Sequence, residues 1–239
     1  MGDGPPAIEI YADGDSWADA CAARLTDALS TALARGGKAV FAGSGGLTPP
    51  PIYRRMAQAD LDWSRIAVTL IDERNVPETS PDSNAALLKR TLLTGPAAAA
   101  RFVPLFYPAV TVDRAAALAA RALAAEGGKL DAVLLGMGDD GHICSMFPGS
   151  PTLKSLLSPG LRPTVLGVPR GRDGFAPSLE RLTINLPWLM TARRIVLAIT
   201  GPARRSVFER QAAGDPAIQP IAALIAAKVP LDVLWTEKA

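Results

Sequence analysis

The chain has 239 residues, 25 Lys and Arg against 23 Asp and Glu, a formal net charge of +2 and a single histidine. A length of this order buries a large core without dividing, and a near-neutral balance argues against nucleic acid as a main partner. The sequence carries no run of about twenty apolar residues, so no membrane span is expected.

In chain order, Ile8–Tyr11 is a short, weak strand candidate. Asp15 is placed to cap a helix in which Trp17, Cys21, Leu25, Leu29 and Leu33 recur every fourth residue until Gly36–Gly37 ends it. Lys38–Ala42 reads as a strand, GSGGLTPP follows at 43–50, and Pro49 suits the first turn of a helix through Met56. Ile66–Ile71 is a strand that runs into the charged loop DERNVPETSPDSN at 72–84, where Ser83 can cap a helix over Asn84–Leu93. Arg101–Leu105 is a weaker strand, and Thr111 to Glu126 is an alanine-rich helix with Gly127–Gly128 behind it. Asp131–Leu135 is a strand leading into GMGDDGH, and Pro148 to Pro177 reads as a long loop region with a strand at Thr164–Val168. Ile195–Thr200, a helix from Pro202 through Gln211 and the strand Leu231–Trp235 close the chain.

Most strand candidates are continuous apolar runs rather than alternating ones, the mark of parallel strands buried on both faces. Strands alternating with helices predict one α/β domain over 1–239, with a parallel sheet and crossovers on both its faces. The first residues, MGDGPPAIEIYADGD, lack the basic start and apolar stretch of a signal peptide. Cys21 and Cys144 make no disulfide framework, so a reducing cytoplasm is the expected compartment.

Ligands of open α/β sheets bind outside the carboxyl ends of the strands. Three loops stand there. GSGGLTPP is either a tight turn or a phosphate cradle, with Thr48 as a hydroxyl donor. Asp72, Glu73 and Arg74 are either solvated loop charges or a substrate clamp. Gly136, Gly138 and Gly141 spell G-x-G-x-x-G, the dinucleotide fingerprint. That third reading is weakened by the mid-chain position and by the carboxylates Asp139 and Asp140 inside the loop. No acidic residue follows about twenty positions on, and Pro148, Gly149 and Pro151 break the expected helix. The competing reading makes His142 a general base beside a carboxylate. With one histidine and no C-x-x-C, a catalytic metal centre is not expected.

Taken together and in order, these loops resemble the 6-phosphogluconolactonase family. Its members read roughly G-G-S-T-P, then D-E-R-x-V-P with S-N a few residues on, then G-x-G-x-D-G-H-x-A-S-L-F-P-G. Here the loops are Gly45-Gly46-Leu47-Thr48-Pro49, Asp72-Glu73-Arg74-Asn75-Val76-Pro77 with Ser83-Asn84, and Gly136 through Gly149. Arg181-Leu182-Thr183 and Leu186-Pro187 look like the family's R-x-T-x-x-L-P stretch. Departures are Leu47 for a serine, with Ser44 nearby, Cys144 for an alanine and Met146 for a leucine. Arg204 stands where family members often carry lysine.

The resemblance implies a modified Rossmann-like fold, shared with glucosamine-6-phosphate deaminases and ribose-5-phosphate isomerases. It implies hydrolysis of a sugar-phosphate lactone, 6-phosphogluconolactone, with no cofactor and no metal. His142 would be the base, oriented by Asp140 or by Asp72. Arg74 and loop N–H groups would stabilise the oxyanion. Gly45, Gly46, Leu47, Thr48 and Arg204 would hold the phosphate. Oligomeric state is left open between a monomer and a weak homodimer. The rivals are a glucosamine-6-phosphate deaminase or isomerase using Asp72 as base, a sugar-phosphate sensor without activity, and a nicotinamide dehydrogenase.

Overall fold

The computed structural model describes residues 5–109, 111–172 and 176–238. Its strands are β1 (Ile8–Tyr11), β2 (Ala39–Gly43), β3 (Ile66–Leu70), β4 (Asp72–Arg74), β5 (Arg101–Phe102), β6 (Ala132–Leu135), β7 (Val165–Val168), β8 (Arg181–Ile184), β9 (Arg194–Thr200) and β10 (Leu231–Thr236). Its α-helices are α1 (Gly14–Ala34), α2 (Pro50–Met56), α3 (Asn84–Thr91), α4 (Val112–Ala124), α5 (Leu153–Leu157), α6 (Leu186–Leu189), α7 (Pro202–Ala212) and α8 (Pro220–Ala226).

Seven strands form one sheet in the order β1-β10-β9-β6-β2-β3-β5, and every pairing in it is parallel. All residues of β2, β3 and β6 are buried. That explains why their sequences are unbroken apolar runs: both faces are covered, so neither needs polar side chains. Helix α1 buries Trp17, Cys21, Leu25 and Leu29 completely and lies against β9, β6, β10 and β2. The Trp17 indole donates to the Leu234 carbonyl at 3.1 Å. Its cap is Asp13, not the expected Asp15: Asp13 is extended, and its carboxylate accepts from the Ser16 amide at 2.7 Å. A capping residue needs that extended backbone. Asp15 is already helical and pairs with Arg55 at 2.6 Å. The expected cap at Ser83 is formed, its hydroxyl accepting from the Ala86 amide, and Thr111, expected as the first residue of its helix, instead caps α4 by accepting from the Arg114 amide.

The prediction departs from the structure most at a second sheet. The segment Val165–Val168, expected among the parallel strands, instead pairs antiparallel with β8, and β8 pairs antiparallel with β4. Residues 72–74, expected as loop, are therefore a strand. Three residues with three charges show no apolar period, so local pattern could not reveal it. The stretch from Pro148 to Pro177 holds, besides the strand expected in it, the unforeseen α5, while 173–175 of it lie outside the described residues. Helix α4 packs on β7 and β8.

The sheet order fixes the site. From β2 the chain steps to β3 on one side, and from β6 it steps to β9 on the other. The strand order reverses between β2 and β6, and a crevice opens outside their carboxyl ends. Segments 44–49 after β2, 71–74 after β3, 136–142 after β6 and 201–204 after β9 all converge there. Among the described residues, no helix is long and apolar enough to cross a membrane.

Candidate active site

The crevice is a cleft of about 200 Å³ lined by Ser44 to Thr48, Asp72, Arg74, Asn84, Gly136 to Gly138, His142, Cys144, Arg181 and Arg204. Every residue expected to act lines it except Asp140, which stands directly behind His142.

The loop after β6 is built around the imidazole. Gly138 and His142 close a turn through an amide-to-carbonyl bond of 2.9 Å, and Gly141 adopts φ +88°. A Cβ on Gly138 would overlap the His142 ring, so glycine there lets the backbone pass against the imidazole. His142 Nδ1 lies 2.6 Å from Asp140 Oδ1, and the His142 amide donates to the same oxygen at 3.1 Å. Burial acts to raise the Asp140 carboxyl, but these bonds from His142 outweigh it and hold the group below its ordinary value. Gln211, from α7, donates to the Asp140 carbonyl at 3.0 Å and fixes the loop from outside. The other ring face packs on Phe147, with centroids 4.3 Å apart. No helix starts at this loop: turns run from it to α5. The glycine spelling is thus not followed by the helix that a dinucleotide cradle requires.

Asp72 is not the histidine's partner. Its Oδ2 accepts from the Ser145 hydroxyl at 2.5 Å and lies 3.9 Å from Arg181 Nη1. Glu73 has a structural task. It is fully buried and accepts from the amides of Asn84 and Ala85 at 2.8 and 2.7 Å, the first turn of α3. Burial raises its carboxyl above the ordinary value, and those amide bonds offset only part of the rise. Asn84, thus placed, packs directly on Gly45, where a Cβ would collide with its side chain. Its amide nitrogen donates to the Asp72 carbonyl at 3.0 Å. The sequence had offered Ser83 as a helix cap and Asn84 only as part of a motif.

Arg181 was missed as a site residue. It lies directly across from Arg74 in the β4–β8 register, a juxtaposition invisible before β4 is known. Burial and the Arg74 charge both lower its pKa, and Asp72 opposes them. Its guanidinium stands 5.8 Å from the Phe147 ring centroid, which ties it to the far side of the histidine loop. Cys144 was also unforeseen as a special position. It adopts φ 53°, strained for a residue with a side chain, between His142 and the Ser145 that grips Asp72.

Among the described residues, eight buried side-chain polar atoms lack a hydrogen-bond partner, and five belong to residues lining this cleft. They are Ser44 Oγ, Asn84 Oδ1 and the Nε atoms of Arg74, Arg181 and Arg204. Unpartnered buried donors are costly. The three guanidinium groups of Arg74, Arg181 and Arg204, lining one cleft, suit an anion with several oxygens. Arg204 Nη1 donates to Thr200 Oγ1 at 3.3 Å. Among the described residues, no group of three or more His, Cys, Asp or Glu side chains is arranged to hold a metal ion.

Known proteins resemble the chain throughout its length. The family model described as "Glucosamine-6-phosphate isomerases/6-phosphogluconolactonase" matches residues 12–235. A 6-phosphogluconolactonase of Caulobacter vibrioides is 40% identical over 233 residues, covering 98% of each chain. The crystal structure of a 6-phosphogluconolactonase from Shewanella baltica superposes with a TM-score of 0.88 at 30% identity, covering 97% of each chain. A monomeric glucosamine-6-phosphate deaminase shares the fold, at a TM-score of 0.73 and 18% identity over 96% of each chain. Family match and near-full-length identity agree, and the chain belongs to the glucosamine-6-phosphate isomerase/6-phosphogluconolactonase family.

Proposed function

We propose that this chain hydrolyses 6-phospho-D-glucono-1,5-lactone to 6-phospho-D-gluconate, the second step of the oxidative pentose phosphate pathway, in the cytoplasm. The observation that carries the reading is one cleft holding a carboxylate-backed histidine and three arginines. The near-full-length likeness to 6-phosphogluconolactonases supports the same conclusion.

A lactone is an ester whose leaving group stays attached. In the proposed mechanism His142 takes a proton from water as the water oxygen bonds to C1. Nδ1 faces Asp140, so Nε2 is the working nitrogen. Asp140 orients the ring and stabilises its charged form. Arg74 and the loop amides offset the negative charge that develops on the C1 oxygen. The C1–O5 bond then breaks, His142 returns the proton to O5, and the product acid ionises to solvent. One group with two protonation states serves both steps. The phosphate rests on the amides of Gly45, Gly46 and Leu47 with the Thr48 hydroxyl, and Arg204 faces it. Leu47 is 97% exposed, so replacing the family's serine costs a hydroxyl but leaves the amide free.

An isomerase or deaminase would use Asp72 as a free base, but that carboxylate is buried and already accepts from Ser145. The deciding assay follows lactone opening after correction for spontaneous hydrolysis, with glucosamine 6-phosphate alongside. The wild type should accelerate lactone opening only, and His142→Ala should lower kcat about a hundredfold or more. No acceleration of the lactone, or turnover of the amino sugar instead, would overturn the reading.

A further inference from the structure

The loop after β6 carries two adjacent carboxylates with different partners. Asp140 turns inward to His142. Asp139 turns outward, with a side chain 76% exposed, and its Oδ1 lies 3.0 Å from Arg204 Nε. Asp139 occupies the unspecified position of the G-x-G-x-D-G-H pattern, so the histidine's arrangement does not require an acid there.

The contact with Arg204 has a specific shape. Arg204 is held at two points, at Nη1 by Thr200 on β9 and at Nε by Asp139. The first is a hydrogen bond. The second is an ion pair with the charge close but the geometry off line, because Nε is shielded from solvent yet has no in-line acceptor. Asp139 therefore neutralises the guanidinium without saturating it. A phosphate dianion offers two charges and oxygens free to align, whereas an exposed carboxylate partner is weak in water.

We propose that Asp139 is a positioning residue that parks Arg204 over the cleft in the free enzyme and competes with the phosphate of the substrate for it. This deepens the proposed function and rests on it for the identity of the ligand. The competition sets a threshold. A ligand bearing a phosphate displaces the carboxylate and gains the arginine. A lactone without phosphate meets an arginine already neutralised, and gains nothing from it. Asp139 thus weakens a phosphorylated ligand by the free energy of the contact that the phosphate must displace, and leaves a ligand without phosphate unaffected.

The test is a double-mutant cycle on Asp139→Asn and Arg204→Ala, read by calorimetric titration with inorganic phosphate and with 6-phosphogluconate, and by lactone kinetics. Asp139→Asn should tighten both dissociation constants about three- to fivefold, a size fitting an exposed ion pair. KM for the lactone should fall by a similar factor with kcat within twofold, the pattern of an interaction shared by ground and transition states. In the Arg204→Ala background the same substitution should change affinity by less than twofold. Unchanged affinity in Asp139→Asn overturns the proposal. So does an equal gain with and without Arg204, which would make Asp139 a general source of repulsion. If the wild type fails to open the lactone but the phosphate cycle behaves as described, the functional reading falls and the Asp139–Arg204 device stands.

Discussion

Asp140 and His142 form the smallest unit of the proposed chemistry, and each depends on the other. The carboxyl is held below its ordinary value by bonds that exist only in the folded loop. A depressed carboxylate stabilises the fold above its unfolded pKa, and that stability is lost as pH falls through the folded value. Between pH 7 and about pH 3, Asp140→Asn should therefore lose less melting temperature than the wild type, with the difference opening below about pH 4. The same variant should lower kcat about tenfold or more, because asparagine can hold the ring in the wrong tautomer. Equal acid sensitivity of the two proteins would refute the stability argument, and an unchanged kcat would refute the orienting role. His142 and its two neighbouring acids were readable from the residues alone, because their types and spacing already pose an acid–base question. Which acid serves which partner was not readable, since Asp72 and Asp140 are separated by most of a crossover and only the folded chain measures both distances.

Elements explain how far such reading could go. Strands β2, β3 and β6 were legible because burial on both faces leaves a plain apolar signature. So were α1 and the α3 cap, whose periods and hydroxyls are local. Strand β4 was not, because its three charged residues are shaped by β8, more than a hundred positions on, and not by their own period. With β4 unseen, Arg181 could not be placed opposite Arg74. The loop after β6 makes the sharpest demand at this scale. Its backbone passes so close to the imidazole that a methyl group at 138 has no room. Gly138→Ala should displace the ring and lower kcat about a hundredfold, with a stability loss of about 1–3 kcal/mol from overpacking. Gly160→Ala, which meets nothing and needs no unusual backbone, is the control. Near-normal kcat in Gly138→Ala would mean the loop relaxes more easily than its contacts indicate.

For the molecule as a whole, two sheets meet at one continuous stretch of chain: β3 leaves the parallel sheet at Leu70, and after Ile71 the same chain enters the antiparallel one as β4. The side chains of the cleft are accordingly divided between the two sheets, His142 with the parallel one, Asp72, Arg74 and Arg181 with the smaller one. An anion bound as proposed would bridge them. By linkage, phosphate or 6-phosphogluconate at a hundredfold excess over Kd should add about 2.7 kcal/mol, or about 5–10 °C in Tm for a chain of this size. Sodium chloride at matched ionic strength should give far less, and equal shifts would show that the cleft binds no anion specifically. The facing pair Arg74 and Arg181 gives that result a further meaning. Like charges opposite one another on adjacent strands cost roughly 0.2–1 kcal/mol, so the small sheet carries a self-repulsion that Asp72 offsets only in part. The substrate is then also a counter-ion to the fold: in a cell, the supply of sugar phosphate would govern how long each copy of this enzyme survives as well as how fast it turns over.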